Sequence, residues 1–494
     1  MQTKYVFVTG GVVSGLGKGL TVASLGRLLK ARGYRVITQK FDPYINVDPG
    51  NLNPLEHGEV FVTDDGAETD LDLGHYERFT DESLSENNSI TMGKIYRAVL
   101  DRERANGYGG RTVQVIPHIT DEIKERIRRS EKDNQADIVI TEVGGTVGDI
   151  ESLPILEAIR QIAHDVGWDN VSYVHISLVP HLDYIGEMKT KPTQHSVKEL
   201  LTRGIQPDII VCRSDREIPI EMRKKLALFC NVEQRCVVQN HHATCIYEVP
   251  LLLEEEKLAD ALCYKLKLTP IQPDLTEWRV LVDKYKNPKD AVTIGIVGSC
   301  DLQDAYLSVA EALRHAGLHQ ELELKVNIEW LLGELDNTKF KKLEKLNGIV
   351  LVGGIGEDCQ DYKNKVVEYA KTNGIPFFGI GNGMQCALGA TVVNDECRGA
   401  KKIRIQPGTK VYQAYGKEEI EERFRGSFNI PAEVLEGETS KDWIISEGGE
   451  VAELANHNWF VCVQFHPEYK SRLTKARPLF MDFIKAGYAH KNKG

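Results

Sequence analysis

The segment 379–385, Gly-Ile-Gly-Asn-Gly-Met-Gln, has the pattern of a turn that presents a reactive side chain, but it contains no nucleophile. The apolar residues just before it are typical of a buried strand, and residues 384–388 are typical of a helix start. Such a strand-turn-helix corner normally carries a Ser or Cys at its tip, beside the positive end of the helix. The tip here is Gly381-Asn382, and neither residue can attack a carbonyl group.

The base and the orienting carboxylate that a nucleophilic Cys would need are nevertheless present as His466-Pro467-Glu468. Cys386 is not expected to replace the nucleophile, because it lies one helical turn beyond the tip and should point into the helix packing. A base and carboxylate kept without their nucleophile predict a domain that has lost its thiol chemistry. The alternative interpretation is that His466 survives only as a packing residue.

A second chemical motif is the glycine-rich stretch 10–19, Gly-Gly-Val-Val-Ser-Gly-Leu-Gly-Lys-Gly, between a predicted strand and a predicted helix. This is the context of a phosphate loop, in which backbone N–H groups surround phosphate oxygens and Lys18 reaches the β and γ oxygens. The motif is not strict, since Val12 replaces the first Gly and Gly19 replaces the hydroxyl that usually binds magnesium. The alternative is a glycine-rich turn with a surface lysine. The missing hydroxyl predicts that carboxylates elsewhere hold Mg²⁺.

Two carboxylates could bind that Mg²⁺. Asp72 ends the acidic run 64–72, and Glu142 ends the apolar run 138–142 just before two glycines. A carboxylate at the carboxyl end of a parallel strand, next to a phosphate loop, occupies the usual metal position of such sheets. A single acidic loop residue is more often a solvated surface charge, so the strand-end position favours Glu142 in particular. The predicted metal ligands are Asp72 and Glu142.

Two α/β domains must position these residues. Strands alternate with amphipathic helices up to about residue 268, which predicts a doubly wound, mainly parallel sheet. Three prolines mark 269–292 as a linker, and a second alternation of the same kind fills 293–494. In the first domain, strands are predicted at 4–9, 35–40, 113–116, 137–143, 171–178 and 208–212, and helices at 18–32, 87–105, 119–130, 153–166 and 195–203.

The composition is that of an ordinary globular protein, with 41% hydrophobic and 27% charged residues in a chain of 494. A net charge of −11 argues against nucleic acid as the main partner. No apolar run approaches the roughly 18 residues needed to cross a bilayer, and no export signal precedes the first strand. We therefore expect a cytoplasmic protein without a membrane partner. Ten scattered cysteines, none in a C-x-x-C pair, predict reduced thiols.

The first half of the chain resembles the CTP synthase family, ligases that aminate UTP to CTP at the expense of ATP. The likeness is nearly continuous and runs through segments 10–19, 40–50, 57–62, 65–79, 114–120, 142–151, 189–196 and 225–231. The resemblance implies Lys18 and Lys40 as catalytic residues. It implies an ATP site of Ser14, Gly15, Leu16, Gly17, Lys18, Gly19 and Asp72. It implies a UTP/CTP site of Ser14, Asp149, Ile150, Glu151, Lys189, Lys191, Gln194 and Lys225.

The family chemistry fits these residues. Uracil O4 is a poor leaving group, so the γ-phosphoryl group of ATP is transferred to it, and an amine then displaces phosphate at C4. Lys18, Lys40 and Mg²⁺ would stabilise the moving charge. Three lysines in short loops can neutralise a triphosphate even on an acidic protein. One departure is His242, which stands where the family usually has an Asp near the adenine nucleotide.

The second half resembles a class I glutamine amidotransferase domain, but with losses. Gly353-Gly354-Ile355-Gly356 matches the oxyanion loop, Gln385 a glutamine contact, and His466 with Glu468 the base and its orienter. Gly381 occupies the position of the nucleophilic Cys, and Ser427 that of the Arg that grips the glutamine carboxylate. The segment that would present a Glu to the substrate amine is missing between Gly389 and Lys410. The joint loss of nucleophile and substrate grip predicts that glutamine hydrolysis is gone.

The sequence therefore predicts a ligase that uses ATP, UTP and free ammonia or another small amine, giving CTP or an N4-substituted analogue. A competing hypothesis is a catalytically weak nucleotide-binding paralogue that regulates a CTP synthase by co-assembly. The family is tetrameric, so we expect a homotetramer. Because GTP acts in the family through glutamine hydrolysis, we expect GTP to be unnecessary here.

Overall fold

The computed structural model describes residues 2–184, 186–353, 361–390, 392–430, 434 and 442–493. The chain forms two compact units, Met1–Pro49 with His75–Val282, and Gly50–Gly74 with Asp283–Gly494. Each unit contains a mainly parallel sheet with helices, so the predicted α/β fold class is confirmed.

In the described part of the first unit, one sheet contains seven strands, all paired in parallel. The central strands are buried along their whole length, as expected for strands covered on both faces. The strand order runs from Lys4–Gly10 towards both edges. The order is Val237–Asn240, Ile209–Arg213, Val171–Leu178, Lys4–Gly10, Ile138–Val143, Val36–Asp42, Ser89–Thr91.

The helices around this sheet alternate with its strands along the chain. Lys18–Lys30 is representative, since its Val22, Leu25, Leu28 and Leu29 are fully buried and two basic residues, Arg27 and Lys30, lie in its last turn. The longer helices are Lys18–Lys30, Leu71–Thr80, Met92–Arg104, Thr120–Asn134, Leu153–Val166, Lys191–Thr202, Ile220–Cys230, Val249–Glu255, Leu258–Lys265 and Thr276–Lys286.

Two predicted elements of this half are wrong, and a helix lies within the predicted linker. Segment 113–116 forms no strand; Val115–Ile119 is a helical turn, and its Val115 and Ile116 are 48% and 52% exposed, so the apolar run has no core to enter. The helix predicted at 87–105 begins only at Met92, because Ser89–Thr91 pairs with the sheet edge and the Thr91 hydroxyl caps the helix. The predicted linker 269–292 contains the helix Thr276–Lys286, which buries Trp278, Leu281 and Val282.

The second unit contains another seven-stranded sheet within its described residues. Five strands are parallel, and the last two extend one edge in antiparallel fashion. The order is Leu324–Leu332, Asp290–Gly298, Gly348–Leu351, Phe377–Ile380, Phe460–Val463, Val451–Leu454, Trp443–Ile445. A separate antiparallel ribbon pairs Val392–Arg404 with Glu419–Asn429. The helices of the second unit include Leu307–Leu318, Asn337–Lys341, Asp361–Asn373, Asn382–Leu388, Lys410–Tyr415 and Pro478–Lys491.

The segment Gly50–Gly74 belongs by its contacts to the second unit, which the sequence did not predict. It contains the short helix Pro54–His57 and a hairpin of Phe61–Val62 with Glu68–Thr69. The Glu59 carboxylate accepts hydrogen bonds from the Ser308 backbone N–H at 3.1 Å and from its hydroxyl at 2.6 Å.

Two ion pairs complete this attachment. Arg423 pairs with Asp64 at 2.6 Å, and Arg425 pairs with Glu68 at 3.1 Å. Both arginines lie on the strand Glu419–Asn429 of the antiparallel ribbon. Complementary charges more than 350 residues apart therefore hold this early segment against the later fold.

Within the described residues, no helix is long and apolar enough to span a bilayer. Eight cysteines are free thiols, in agreement with the prediction, and seven of them are buried. Cys386 differs from the prediction of reduced thiols, because it is disulfide-bonded.

Candidate functional site

The predicted phosphate loop connects the strand Lys4–Gly10 to the helix Lys18–Lys30. Ser14 and Gly15 are exposed at its tip, and Gly17 caps the helix with φ 81° and no side-chain hydrogen bond. The first N–H groups of the helix therefore have no side-chain cap and can receive an anion. The Lys18 ammonium reaches across the loop to the Gly145 carbonyl oxygen at 2.8 Å.

The loop after the strand Ile138–Val143 lies against the phosphate loop. The Val147 N–H donates to the Gly10 carbonyl at 2.9 Å, and the Gly144 N–H donates to the Phe41 carbonyl at 2.7 Å. Asp149 accepts hydrogen bonds from the Thr146 backbone and hydroxyl, the latter at 2.8 Å. The structure thus brings predicted residues of the two nucleotide sites, Lys18 and Asp149, onto adjoining loops.

Lys40 and Glu142 are neighbours in the sheet register. Both are buried, Lys40 with 7% and Glu142 with 2% of its surface exposed. The Lys40 ammonium lies 3.5 Å from Asp42 Oδ1, and the Tyr76 hydroxyl donates to Glu142 Oε2. A buried lysine and buried carboxylates side by side form a charged site at the carboxyl end of the strands, where α/β sheets bind ligands.

The two predicted metal ligands lie on separate elements. Within the described residues, no group of three or more His, Cys, Asp or Glu side chains forms a metal cage. Mg²⁺ is commonly held by one or two carboxylates together with substrate phosphates. Glu142 ends its strand beside the phosphate loop, and Asp72 lies in the first turn of the helix Leu71–Thr80. Their joint role stays a prediction.

The predicted triphosphate ligands lie on two elements. Lys189 and Gln194 flank the start of the helix Lys191–Thr202, whose first residue, Lys191, is exposed. Lys189 pairs with Glu187 at 2.6 Å, and the Gln194 amide donates to the Thr190 hydroxyl at 3.0 Å. Lys225 lies on the exposed face of a separate helix, Ile220–Cys230. A helix N-terminus with two adjacent lysines suits an anionic ligand.

Sequence reasoning missed His175, which supports the phosphate loop from behind. Its ring is fully buried, with Nδ1 at 2.8 Å from the Thr9 hydroxyl and Nε2 at 2.7 Å from the Ser196 hydroxyl. Burial, with a smaller contribution from the charge of Lys18, lowers the pKa of His175 to about 3. A polar residue within the apolar run 171–178 was the available signal.

In the second unit, Gly381 occupies the tip between the strand Phe377–Ile380 and the helix Asn382–Leu388. Its backbone has φ 54° and ψ −109°. A Cβ atom built on Gly381 would lie 2.9 Å from His466 Nε2. The corner therefore points at His466, and residue 381 has no side chain to place there.

His466 and Glu468 form the expected pair, with Nδ1 and Oε1 2.7 Å apart. The His466 ring also stacks on Tyr469 at 5.3 Å between centroids. Both members are buried, with 5% and 4% of their surfaces exposed. Among the described residues, His466 Nε2 and Glu468 Oε2 have no hydrogen-bond partner.

A small cavity of about 70 Å³ adjoins this pair. It has room for a few molecules of the size of water or ammonia. The sequence had not singled out most of its lining, because these residues come from distant parts of the chain. The lining residues are Pro54, Gly58, Glu59, Val60, Cys300, Ala305, Tyr306, Val309, Val352, Gly353, Arg425, His466, Glu468 and Tyr469.

The other predicted residues of this half are placed as follows. Gln385 is buried and accepts from the Asn382 amide at 3.1 Å, and Ser427 lies on the strand Glu419–Asn429. Gly353 lines the cavity, whereas Gly354, Ile355 and Gly356 lie outside the described residues. Cys386 is buried in the apolar packing of this unit, as expected for a residue that does not replace the nucleophile.

The fold and these sites define a class of protein, a phosphate-loop ligase joined to an amidotransferase-type domain. The family model for the CTP synthase N-terminus matches residues 4–268, and the class I glutamine amidotransferase model matches residues 301–486. The chain belongs to the CTP synthase family.

Its relatives cover the whole chain. A CTP synthase of Carboxydothermus hydrogenoformans is 52% identical over 98% of both chains, and one of Ruminiclostridium cellulolyticum is 51% identical over 100% of both. A solved structure of the Trypanosoma brucei CTPS glutaminase domain with bound acivicin is 24% identical, covering 40% of this chain and 94% of that one at a TM-score of 0.36. The first alignment spans 529 positions, more than the 494 residues here, so this chain lacks segments that its relative has.

Proposed function

We propose that this enzyme converts UTP to CTP with ATP and takes its nitrogen from free ammonia, or from another small amine, without hydrolysing glutamine. The observation that carries the proposal is Gly381. The base His466 faces a position where a Cβ would lie 2.9 Å away, and no nucleophile occupies it. Ser427, in place of the carboxylate-gripping Arg, removes the second requirement for glutamine.

In this proposal, residues of the first half of the chain carry the phosphoryl transfer. The phosphate loop 14–19 binds ATP, and Lys18 and Lys40 stabilise the γ-phosphoryl group as it moves to O4 of the uracil ring. Asp72 and Glu142 hold Mg²⁺, which supplies charge neutralisation for the phosphates when bound. No covalent protein nucleophile is needed, because positioning and electrostatic stabilisation suffice for this step.

The uridine nucleotide is bound by its charge and by its base. Lys189, Lys191, Gln194 and Lys225 hold the triphosphate, while Ser14, Asp149, Ile150 and Glu151 line the overlapping product site. Ile150 is 78% exposed and so is available for contact with a ligand or a neighbouring subunit. We further propose a cytoplasmic homotetramer, the assembly expected of the family.

Amination follows once O4 is phosphorylated. Ammonia attacks C4, and inorganic phosphate leaves with the former carbonyl oxygen. The small cavity beside His466 has the size of the nucleophile and is lined by residues that the glutaminase site would otherwise use. A larger amine in the same role would give an N4-substituted analogue of CTP.

Turnover with separated donors tests the proposal. Purified protein with ATP, UTP and Mg²⁺ is given either ammonium or ¹⁵N-amide glutamine with an ammonium scavenger, and the product is identified by mass spectrometry. CTP from ammonium alone is expected. Labelled CTP from glutamine would overturn the loss of glutaminase, and a screen of small amines would identify a preferred donor other than ammonia.

A regulator that binds nucleotides without turnover is the second candidate from the sequence. Lys18 separates it from the ligase, because phosphoryl transfer needs this side chain to stabilise the moving charge, whereas regulation by co-assembly does not. Lys18→Ala is expected to reduce CTP formation by at least about a hundredfold, the scale of a lost transition-state contact. Unchanged regulation of a co-assembled CTP synthase, without turnover in the unmodified protein, would favour the regulator.

A further inference from the structure

We propose that His466, oriented by Glu468, accepts a proton from ammonium in the small cavity beside Gly381, so that the enzyme can use NH₄⁺ as well as dissolved NH₃. The inference rests on the proposed function, in which ammonia is the nitrogen donor. It gives the retained base a role in the absence of the thiol that it would otherwise activate.

The geometry presents His466 as a proton acceptor. An ionised carboxylate can only accept hydrogen bonds, so the contact with Glu468 at 2.7 Å places the ring proton on Nδ1. Nε2 then carries the free lone pair. It faces the open position above Gly381 and has no partner among the described residues. Leaving a buried acceptor unpaired is unfavourable, which argues for an occupant that donates a hydrogen bond.

The surroundings favour a small cation. The stack on Tyr469 and the bond to Glu468 hold the imidazole in one orientation, and Glu468 stabilises the imidazolium once it forms. Glu59, which also lines the cavity, adds a second carboxyl group.

The remaining titratable groups that line the cavity are Arg425, Tyr306, Tyr469 and Cys300. The single cationic one, Arg425, is paired with Glu68 at 3.1 Å. The lining within the described residues therefore carries more negative than positive charge close to His466.

The proposed step balances without a further reactant. One N–H bond of ammonium breaks, its electron pair stays on nitrogen, and a bond forms between the proton and His466 Nε2. Ammonia and imidazolium result. The imidazolium returns its proton to solvent before the next turnover, and no atom changes oxidation state.

The pH dependence of ammonium use tests the inference on the full-length protein. Amines titrate well above neutrality, so dissolved NH₃ increases about tenfold per pH unit between pH 6.5 and 8.5. With saturating ATP and UTP, kcat/KM for total ammonium is expected to change less than about threefold between pH 7.5 and 8.5, because His466 can take the proton from ammonium, the form that dominates at both pH values. For His466→Gln, kcat/KM for total ammonium is expected to follow the concentration of dissolved NH₃ and so to rise about tenfold over the same interval.

Several variants separate this role from a structural one. Glu468→Gln should lower kcat/KM at pH 7.5 without abolishing turnover at pH 9, as expected of a positioning residue. His490→Ala, on the helix Pro478–Lys491 and outside the cavity lining, is the matched control and should keep the profile of the unmodified protein. Thermal melting of each variant checks that it folds.

The outcomes distinguish the two proposals. If folded His466→Gln has the same pH profile of kcat/KM as the unmodified protein, the proton-acceptor role is overturned, but the use of ammonia as nitrogen donor is not. If kcat/KM of the unmodified protein itself rises tenfold per pH unit, the proton-acceptor role is likewise overturned. No CTP from ammonium at any pH, including pH 9 where NH₃ is abundant, overturns the proposed function.

Discussion

Gly381 keeps the backbone conformation of a residue that displays its side chain, with φ 54° and ψ −109°, although it has none to display. Around it the base, the orienting carboxylate and the stacked tyrosine are all in position. We propose that two groups have been lost, the attacking atom at Gly381 and the substrate grip at Ser427. At the scale of the residue, such a loss changes the chemistry while the surrounding frame stays in place.

Gly381→Ala is expected to lower the stability of the second unit. A backbone with φ 54° and ψ −109° is one that L-residues with side chains rarely adopt, and such a conformation costs on the order of 1–3 kcal/mol. The new Cβ would in addition lie 2.9 Å from His466 Nε2 and 3.0 Å from its Cε1, so the ring must shift. Gly389→Ala, at the other end of the same helix, is the matched control, with φ +64° and open space around its Cβ. Thermal or urea unfolding should show the larger loss for Gly381→Ala, and equal losses would contradict the contact with His466.

His175 predicts an acid-sensitive stability. Its pKa is lowered to about 3 in the folded protein, below the ordinary value of 6.5, so the unfolded chain binds this proton first. The stabilisation is complete above pH 6.5 and decreases as the pH falls towards 3, by about 1.4 kcal/mol per pH unit. Urea unfolding of the unmodified protein and of His175→Gln at pH 7.5 and 5.5 measures it. The variant should lose less stability on acidification; identical losses would show that His175 does not carry the effect.

The elements of the first unit bring scattered motifs to one edge of the sheet. The phosphate loop follows one strand, Glu142 ends the adjacent strand, and Lys40 lies opposite Glu142 in the next. The helix Lys191–Thr202 adds its N-terminus and two flanking lysines. Parallel strands end on the same side, so residues far apart in sequence become neighbours without any special loop design.

The helix Lys191–Thr202 offers an internal test of the triphosphate site. Lys191 begins the helix and Lys198 lies nearly two turns later, and both are exposed. Lys191→Ala should raise KM for UTP about tenfold, since a hydrogen bond to a charged group contributes about 1.5–3 kcal/mol, while KM for ATP changes little. Lys198→Ala should leave both unchanged. Steady-state kinetics measure KM for UTP and for ATP in each variant. Equal effects of the two substitutions on KM for UTP would show that Lys191 does not bind the triphosphate.

At the scale of the whole molecule, the two units differ in the chemistry of their sites. The first unit has charged residues at its strand ends, whereas the second unit has Gly381 at the tip that faces His466. Relatives at about 50% identity span the whole of this chain. We regard the second unit as a scaffold around a small polar cavity.

Ammonium-dependent turnover should not respond to GTP. In the family GTP acts through glutamine hydrolysis. A ligand that binds all conformations of an enzyme equally well does not shift their equilibrium, so without glutamine hydrolysis GTP has no step to accelerate. CTP formation from ammonium is expected to change by less than about twofold when GTP is added at saturating ATP and UTP. Initial rates measured across a GTP series provide the check, and strong activation would argue that the second unit still transmits an allosteric signal.

Much of the fold and of the candidate site could be predicted from sequence, because the motifs and periodicities that indicate them lie in consecutive residues. The phosphate loop 10–19, the strand-end Glu142 and the bare tip at Gly381 are each read from consecutive residues or from a strand period. The strand predicted at 113–116 was wrong because its formation depends on distant parts of the chain. An apolar run indicates a preference for burial, but the rest of the fold determines whether a core lies next to it.

By itself, the sequence determined the α/β class, the charged phosphate-binding machinery and the absence of an attacking thiol at residue 381. Only the tertiary structure decided which distant residues meet. Arg425 pairs with Glu68 across 357 positions, Glu59 binds Ser308, and His175 fits between Thr9 and Ser196. Such pairings depend on how whole elements pack, and no local periodicity encodes them. The cavity beside His466 exists for the same reason, since its lining is gathered from segments that the chain keeps far apart.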